Sequence, residues 1–209
     1  MRALIFLFTL ALAAPASAQL VVPLATADGR VACVQGKTGI GQTSDWRAVP
    51  DPDGPNGWAL AETARDPTDS RFPLCVAERA VGRDLDATLR FKPISGTRAQ
   101  MAGLVFRAQS ANDYYFVQAN ALDKTVRLYR MEKGKRSQLA RKDAPIDAGK
   151  WHSLRVIAAN DRFEVALDGK PVFDVTDRSL PQAGAVGVIS QADSVTHFGS
   201  LLLSPPAPR

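Results

Sequence analysis

The sequence predicts an all-β domain built as an antiparallel β-sandwich. Short apolar segments recur at intervals of about 8–12 residues with turn residues between them, which is typical of such sandwiches. No window of about 12 residues carries the apolar stripe of an amphipathic helix, and the nearest, residues 59–65, stops before Pro67. Hydrophobic residues make up 45% and charged residues 22% of the 209 residues, which excludes intrinsic disorder and fibrous repeats for most of the chain.

The first residues have the features of a secretory signal peptide. Arg2 precedes an apolar run over residues 3–14, and Pro15 is followed by the small residues of positions 16–18. This order indicates cleavage before Gln19, and the run is too short to span a bilayer. We therefore expect an exported protein, periplasmic or secreted, without a transmembrane segment after cleavage. Residues 19–203 would form a single β-sandwich domain and residues 204–209 a flexible tail.

The chain has two cysteines, Cys33 and Cys75. An oxidising compartment favours a disulfide between them, which would close a loop of about 40 residues. The alternative, a reactive thiol, would need a C-x-x-C spacing or an adjacent His or Lys, and neither occurs. The sequence therefore predicts a structural disulfide.

The strands are predicted from alternation and turn signals. Residues 85–92 have apolar side chains at odd positions and polar ones at even positions, the pattern of a strand with one buried face. Asp168-Gly169 is the strongest hairpin signal in the chain. Residues 36–57, rich in Gly, Pro and Asp, are predicted to form a long surface loop. The other predicted strands are 103–107, 114–120, 125–132, 136–140, 151–159, 162–167, 171–175, 185–190 and 195–203.

Metal and cofactor sites are not indicated. His152 and His197 lie far apart in the sequence and belong to no metal-binding motif, so each is interpreted as a strand-surface residue. Residues 51–57 concentrate oxygen donors that calcium would accept, but their spacing departs from an EF-hand loop. A plain turn rich in proline and glycine is the favoured interpretation, and we expect no cofactor.

Catalytic motifs are also missing from the sequence. No G-x-S-x-G nucleophile elbow is present. Two carboxylate pairs are candidates for glycoside cleavage, Asp84 with Asp86 and Asp174 with Asp177. The first pair fits the polar face of a strand and the second a strand end, so no catalytic residue is assigned.

The overall charge is mildly basic, with 26 Lys and Arg against 21 Asp and Glu, which does not indicate nucleic-acid binding. Basic residues concentrate in positions 124–150. One interpretation is a landing face for an acidic polysaccharide or the cell envelope. The other, which we favour, is a pair of exposed hairpins whose charges prevent pairing between sheet edges. The basic residues are Lys124, Arg127, Arg130, Lys133, Lys135, Arg136, Arg141, Lys142 and Lys150.

An ordered series of short motifs runs from residue 72 to residue 203. It includes Gly103-Leu104-Val105-Phe106-Arg107, Tyr114-Tyr115-Phe116-Val117, Val126-Arg127-Leu128-Tyr129, Trp151-His152-Ser153-Leu154-Arg155-Val156, Leu167-Asp168-Gly169-Lys170 and Ala183-Gly184-Ala185-Val186-Gly187. In these motifs the chain resembles the bacterial 3-keto-disaccharide hydrolase-like domain family. The resemblance implies a concanavalin A-like, laminin-G-like jelly roll and an association with carbohydrates.

The chain departs from the family pattern at polar positions. Gln118 stands where an Arg is frequent, residues 189–191 replace a common Trp-Thr-Lys, and Gly199 and Ser200 replace common aspartates. These changes remove polar groups that a sugar site would use. Two functions stay open: a non-catalytic saccharide-binding module, which we favour, and an enzyme acting on 3-keto-disaccharides. The enzyme requires two converging acidic or proton-transferring groups, which the sequence does not locate.

A saccharide or cell-envelope glycan is the expected partner, and one strand face is the candidate site. By alternation Tyr114, Phe116, Gln118 and Asn120 share a face, where flat rings and planar amides suit a sugar. The alternative is that Tyr114 and Phe116 point into the core and the intervening residues point outward, because period 2 cannot choose between faces. The predicted ligand-binding set is Arg107, Tyr114, Gln118, Asn120, Gln191 and Asp193.

Overall fold

The computed structural model of the chain describes residues 19–207, so the predicted signal peptide and the last two residues of the predicted tail lie outside the described residues. Within this range no helix is long and apolar enough to cross a membrane. The strands are β1 (Leu20–Val22), β2 (Val34–Gly39), β3 (Trp46–Pro50), β4 (Trp58–Glu62), β5 (Arg71–Gly82), β6 (Leu85–Ser95), β7 (Met101–Ser110), β8 (Asp113–Asn120), β9 (Thr125–Glu132), β10 (Lys135–Asp143), β11 (His152–Ala159), β12 (Arg162–Leu167), β13 (Lys170–Thr176), β14 (Gly184–Ile189) and β15 (Val195–Ser204).

The strands form two antiparallel sheets. The eight-stranded sheet has the order β13-β12-β11-β6-β15-β4-β3, and β1 also pairs with β15. The seven-stranded sheet has the order β10-β9-β8-β7-β14-β5-β2. The predicted antiparallel jelly-roll sandwich is confirmed.

The main core lies between the two sheets and follows the predicted alternation. Leu85, Ala87, Leu89 and Phe91 of β6 are buried, while Arg90 between them is exposed. They belong to one cluster with residues of the seven-stranded sheet, among them Leu104, Phe106, Tyr115 and Val117. A fully buried Leu or Phe side chain contributes about 1.5–3 kcal/mol relative to exposure, so this cluster is the main stabilising element of the fold.

The predicted hairpin at Asp168-Gly169 is also confirmed, joining β12 to β13. Asp168 has φ 49° and Gly169 has φ 74°. Two successive residues with positive φ are what a two-residue type I′ turn requires, and Asp and Gly tolerate that region better than other residues.

The prediction of a long surface loop over residues 36–57 was wrong. Most of β2, the whole of β3 and a short 3₁₀ turn (Pro55–Gly57) lie in this segment. Both strands are at sheet edges, where glycine and a terminal proline are tolerated. Their Gly- and Pro-rich composition therefore resembles that of a loop. The side chain of Gln35 in β2 bonds both the backbone N–H and C=O of Trp46 in β3, at 3.3 Å each, and so links the two sheet edges.

A second apolar cluster lies on the other side of the seven-stranded sheet. Apart from Ala99, its buried members all belong to that sheet, and none belongs to the eight-stranded sheet. They alternate with the residues of the main core along β7, β8 and β9. The members are Phe72, Leu74, Ala99, Met101, Val105, Tyr114, Phe116, Tyr129, Met131 and Ile189.

The seven-stranded sheet curls around this second cluster. Neighbouring strands lie about 4.8 Å apart, so a flat sheet would separate Phe72 in β5 from Phe116 in β8 by at least about 14 Å. Their ring centroids are only 6.4 Å apart. The hydroxyl of Thr38 in the edge strand β2 lies 2.8 Å from the hydroxyl of Tyr114 in β8. We call this hollowed surface the concave face.

The predicted disulfide between Cys33 and Cys75 is confirmed. The two Cα atoms are 5.4 Å apart and the residues are separated by 42 positions. Cys75 is fully buried in β5, so the bond fixes the segment before β2 to the interior of the sandwich.

Replacing both cysteines with alanine should lower the free energy of unfolding. Opening a loop of this length costs about 4 kcal/mol in the chain-entropy model, because the unfolded chain regains freedom. Urea unfolding of the variant and of the wild type, each with and without dithiothreitol, measures this loss. Dithiothreitol should lower the free energy of unfolding of the wild type and leave that of the variant unchanged. Equal stability of the oxidised wild type and the variant would contradict the prediction.

Candidate functional site

The floor of the concave face is aromatic. The ring of Phe116 packs 5.0 Å from that of Tyr129 and 5.8 Å from that of Tyr114, measured between centroids. The guanidinium of Arg136 in β10 lies over two of the floor rings, 4.8 Å from the centroid of Phe72 and 4.9 Å from that of Tyr129. Because of this cover, Phe72 and Tyr129 are only 4% and 6% exposed. A ligand that approaches these two rings therefore contacts the Arg136 guanidinium first.

A groove of about 500 Å³ occupies the side of the concave face nearest β2. A volume of this size lies within the range of small-molecule sites. The groove adjoins the aromatic floor, because Tyr114 and Val105 belong to both. Its lining residues include Val34, Gly36, Leu74, Val76, Glu78, Val105, Gln109, Ser110 and Tyr114.

Polar groups without partners lie on the opposite side of the concave face. Gln118 of β8 and Arg127 of β9 are directly paired residues. The Oε1 atom of Gln118 and the Nε atom of Arg127 are buried and make no hydrogen bond. Leaving a buried polar atom unpaired costs about 1–3 kcal/mol, so these two atoms are candidate contacts for a ligand.

Two further residues extend this polar surface toward the edge of the sheet. Gln138 of β10 pairs with Tyr129 and accepts a 3.2 Å hydrogen bond from the Tyr129 hydroxyl. Arg136, two residues earlier on the same strand, is exposed. We call Gln118, Arg127, Arg136 and Gln138 the polar strip. Two amides and two guanidinium groups thus lie on the same concave face as the apolar groove.

The structure brings together part of the predicted ligand-binding set. Tyr114 lines the groove and Gln118 belongs to the polar strip. Tyr115 and Val117 point into the core between the sheets, so the alternative orientation of β8 was wrong. Tyr114 is nevertheless fully buried. Burial raises the pKa of its hydroxyl, and the hydrogen bond with Thr38 opposes that rise.

Asn120, Gln191 and Asp193 lie near the end of the concave face, where their side chains hold loops. Asn120 Oδ1 accepts hydrogen bonds from the backbone of Gln100 at 3.1 Å and of Leu122 at 3.0 Å. Gln191 Nε2 donates to the carbonyl of Asp69 at 2.9 Å. The loop of residues 190–194 reaches this end, since Ser194 Oγ accepts from the backbone N–H of Met101, the partner of Asn120.

Asp193 closes the loop of residues 96–99. Its carboxylate accepts hydrogen bonds from the hydroxyl of Thr97 at 2.6 Å and from the backbone N–H groups of Thr97 at 2.8 Å and Arg98 at 2.9 Å. Burial raises the pKa of Asp193, but these bonds outweigh it and lower the pKa to about 2.

Arg107 lies apart from the other predicted site residues. Its guanidinium is 1% exposed and lies 5.1 Å from the ring of Phe163, in the core between the sheets. It donates to the backbone carbonyls of Arg83 at 2.7 Å and Asn160 at 2.5 Å, and to that of Leu180 at 3.3 Å. Burial lowers its pKa. Arg107 therefore anchors three loops at the end of the sandwich.

The loop of residues 51–57 and both histidines also have internal partners. Asp51 is 2% exposed and lies 2.7 Å from Lys92 Nζ and 2.5 Å from His197 Nδ1. His152, predicted at the strand surface, is largely buried and its Nδ1 lies 2.7 Å from Asp168 Oδ2. Across residues 19–207 no three His, Cys, Asp or Glu side chains come together as metal ligands.

The two carboxylate pairs proposed for glycoside cleavage are engaged in ion pairs. Asp86 pairs with Arg155, and Asp174 lies 3.2 Å from Arg162. Asp177 accepts hydrogen bonds from the Tyr115 hydroxyl at 2.5 Å and from Arg130 at 2.7 Å. Burial raises the pKa of Asp177, but these donors lower it further than burial raises it. The remaining member, Asp84, accepts from the backbone of Asn160 at 2.7 Å.

Sequence reasoning missed several residues of the concave face. Arg127 and Arg136 were interpreted as members of a basic segment, and Arg127 also as part of a family motif. Neither they, nor Gln138, nor the groove residues other than Tyr114 were predicted as ligand contacts. Alternation along β9 puts Arg127, Tyr129 and Met131 on one face, a signal that was available. The approach of Arg136 to Phe72 spans six strands of a curled sheet, and no local pattern encodes it.

The comparisons with known proteins agree on fold and family. Residues 40–198 match the family model of the 3-keto-alpha-glucoside-1,2-lyase-like domain. A segment of 75 residues is 33% identical to a levanase of Bacillus subtilis (strain 168) and covers 35% of this chain, but only 11% of the levanase. The structure of carbohydrate-binding module CBM66 from Bacillus subtilis superposes with TM-score 0.65 and 22% identity, covering 81% of this chain and 94% of that chain.

Two further solved structures share the fold. A Bacillus subtilis protein of unknown function with a galectin-like fold gives a TM-score of 0.60 at 10% identity, covering 84% of this chain and 90% of that one. Domain 4 of a GH43 extracellular arabinanase from Geobacillus stearothermophilus, in complex with arabinotriose, gives a TM-score of 0.54 at 14% identity, covering 84% of each chain.

Acid should destabilise the fold through Asp193. Its pKa is about 2 in the folded chain and 3.8 in an ordinary environment, so its stabilising effect is complete above about pH 4 and is lost as the pH falls through 2. Asp193→Asn should therefore unfold at a lower temperature than the wild type at pH 6, and the difference should shrink toward pH 2. Thermal unfolding followed by circular dichroism measures both curves. An offset that stays constant across this range would contradict the prediction.

Proposed function

Because the chain belongs to the family of 3-keto-alpha-glucoside-1,2-lyase-like domains, we propose that it binds a saccharide, and that the ligand lies on the concave face of the seven-stranded sheet. The proposed role is that of a non-catalytic carbohydrate-binding module. Solved carbohydrate-binding module CBM66 has the same fold, which supports this proposal through architecture only.

One observation carries the proposal: the concave face holds both buried polar atoms without partners and an apolar groove. Gln118 Oε1 and Arg127 Nε are unpaired although the two residues are neighbours across β8 and β9. A folded domain keeps an unpaired buried acceptor only at a cost in stability, and a hydroxyl-bearing ligand would remove that cost on binding. A sugar hydroxyl both donates and accepts, so it suits an unpaired C=O beside an unpaired N–H.

The rest of the concave face fits a saccharide as well. The aliphatic residues of the groove, among them Val34, Leu74 and Val76, offer a surface for the C–H face of a pyranose or furanose ring. Planar amide and guanidinium groups of the polar strip bond pairs of hydroxyls and fix the orientation of the ring. The roles of Arg107, Asn120, Gln191 and Asp193 as direct ligands stay predictions.

The family match also favours a second candidate, an enzyme that cleaves a 3-keto-glucoside by elimination. Such a reaction needs a base to remove the proton beside the ketone while the glycosidic bond breaks. Of the residues that line the groove, Glu78 alone carries a carboxylate. The neighbouring Tyr114 hydroxyl has a raised pKa because it is buried, which makes it a poor base at neutral pH.

The enzyme proposal has a direct test. Incubating the wild type with a 3-keto-disaccharide and following monosaccharide release should give the spontaneous rate if the chain only binds. A rate above that of buffer that Glu78→Gln abolishes would favour the enzyme over the binding module.

We also propose that the protein acts outside the cytoplasm, in the periplasm or as a secreted protein. The disulfide between Cys33 and Cys75 supports this location, because such bonds persist in oxidising compartments. The predicted signal peptide is consistent with it. Sequencing the N-terminus of the natural protein should give Gln19 as the first residue.

Gln118→Met should separate binding from stability. The substitution removes an unpaired buried acceptor and keeps a side chain of similar length, so thermal stability should hold or rise. Saccharide affinity should fall about tenfold or more, since a hydrogen bond to the ligand is lost. Isothermal titration with a saccharide found by a glycan array, together with thermal unfolding, measures both quantities.

The matched control is Gln19→Met, which makes the same change at an exposed position beside β1, a strand of the eight-stranded sheet. Its affinity should equal that of the wild type. Loss of stability in Gln118→Met with unchanged affinity would contradict the proposed site. Absence of wild-type binding to every saccharide on the array would contradict the proposed function.

A further inference from the structure

Arg136 is a fixed cation without an anionic partner. Its guanidinium is held over the rings of Phe72 and Tyr129, at 4.8 and 4.9 Å from their centroids. Within residues 19–207 it forms no ion pair and no hydrogen bond. The side chain is exposed. A guanidinium that stacks on rings uses its faces for that contact, so its N–H edges stay available to a ligand.

The other arginines of this part of the concave face are paired with carboxylates. Arg127 lies 2.5 Å from Asp123, and Arg141 lies 3.1 Å from Asp143. Asp69 attracts Arg136 electrostatically, but its carboxylate forms its ion pair with Arg98. Within the described residues, Arg136 is therefore the one guanidinium of the polar strip that no carboxylate contacts, and two rings hold its position.

We propose that the saccharide bound on the concave face is acidic, and that its carboxylate pairs with Arg136. This inference rests on the proposed function and names the class of ligand, a uronic-acid oligosaccharide. A carboxylate offers two coplanar oxygens that match two parallel N–H groups of a guanidinium, and charge-assisted pairs of this kind are the strongest hydrogen bonds in protein sites. Gln118 and Arg127, which lie farther along the polar strip, then bond hydroxyls of the same oligosaccharide.

The stacking explains why Arg136 suits a carboxylate better than a hydroxyl. A neutral sugar gains little from a formal charge that water already solvates, whereas a carboxylate gains both the ion pair and the fixed geometry. Since the rings already restrict the arginine, little further side-chain entropy is lost when the ligand binds. A lysine at this position could supply the charge but not the paired N–H edge.

Uronic-acid oligosaccharides and their methyl esters test this inference, because the ester removes the charge and keeps the sugar. A panel of galacturonate, glucuronate and mannuronate trimers, each with its ester, would be titrated against the wild type by calorimetry. At least one acid should bind about tenfold or more tightly than its ester. In Arg136→Gln the acid and the ester should bind within about twofold of each other, and Arg136→Lys should restore only part of the difference.

Lys135→Gln is the matched control, since it removes the same charge one residue away on the same exposed strand and has no ion pair within the described range. It should keep the preference for the acid. Esters that bind as tightly as acids, or a preference that Lys135→Gln and Arg136→Gln weaken equally, would overturn the acidic ligand. If neutral saccharides still bound and Gln118→Met still weakened them, the proposed function would stand while this inference failed. If no saccharide bound at all, both would fail.

Discussion

A buried ion pair between Arg71 and Glu62 joins the two sheets and fixes the position of the concave face. Both side chains are fully buried, and the guanidinium bonds both carboxylate oxygens, at 2.7 and 3.0 Å. Its remaining N–H groups bond backbone carbonyls, including that of Gln42 at 3.0 Å and that of Ala192 at 2.9 Å. Removing one partner of such a pair typically costs about 3–5 kcal/mol, since the other charge stays buried and unpaired. The next residue in β5 is Phe72, so this pair holds the ring on which Arg136 rests.

The curvature that follows from this anchoring creates the functional surface. Because Phe72 and Thr38 are brought over the sheet toward Phe116 and Tyr114, the seven-stranded sheet has apolar clusters on both faces. The second apolar cluster is too small to exclude polar groups, and the Arg136 guanidinium covers two of its rings. The concave face is therefore part core and part binding surface. This dual character explains how Gln118 can be 1% exposed and still lack a partner for its carbonyl oxygen.

Local patterns were sufficient to predict the sandwich but not its outer cluster. Alternation at Leu85, Leu89 and Phe91 identifies a strand with one buried face, and export together with two cysteines identifies the disulfide. This reasoning fails for β8, because both of its faces are buried. Alternation then does not show which face points toward the other sheet. Arg107 belongs to the same predicted ligand-binding set as Asn120, yet it lies in an irregular part of β7 with a φ of 50°, and its side chain lies at the end of the sandwich. Its destination depends on loops far away in the sequence.

The charge distribution distinguishes the two interpretations of the basic segment better than its sequence does. Most arginines of residues 124–150 are compensated: Arg130, for example, lies 2.7 Å from Asp177, so it secures a loop and attracts no ligand. Edge protection accounts for the exposed lysines of β10, which lie at the border of the sheet. Neither explanation accounts for Arg136, which is exposed, held by two rings and unpaired. A charge kept in place without a partner has a stabilising role only through its stacking. The faces of the guanidinium cover the rings, and its paired N–H edge is left for a ligand to use.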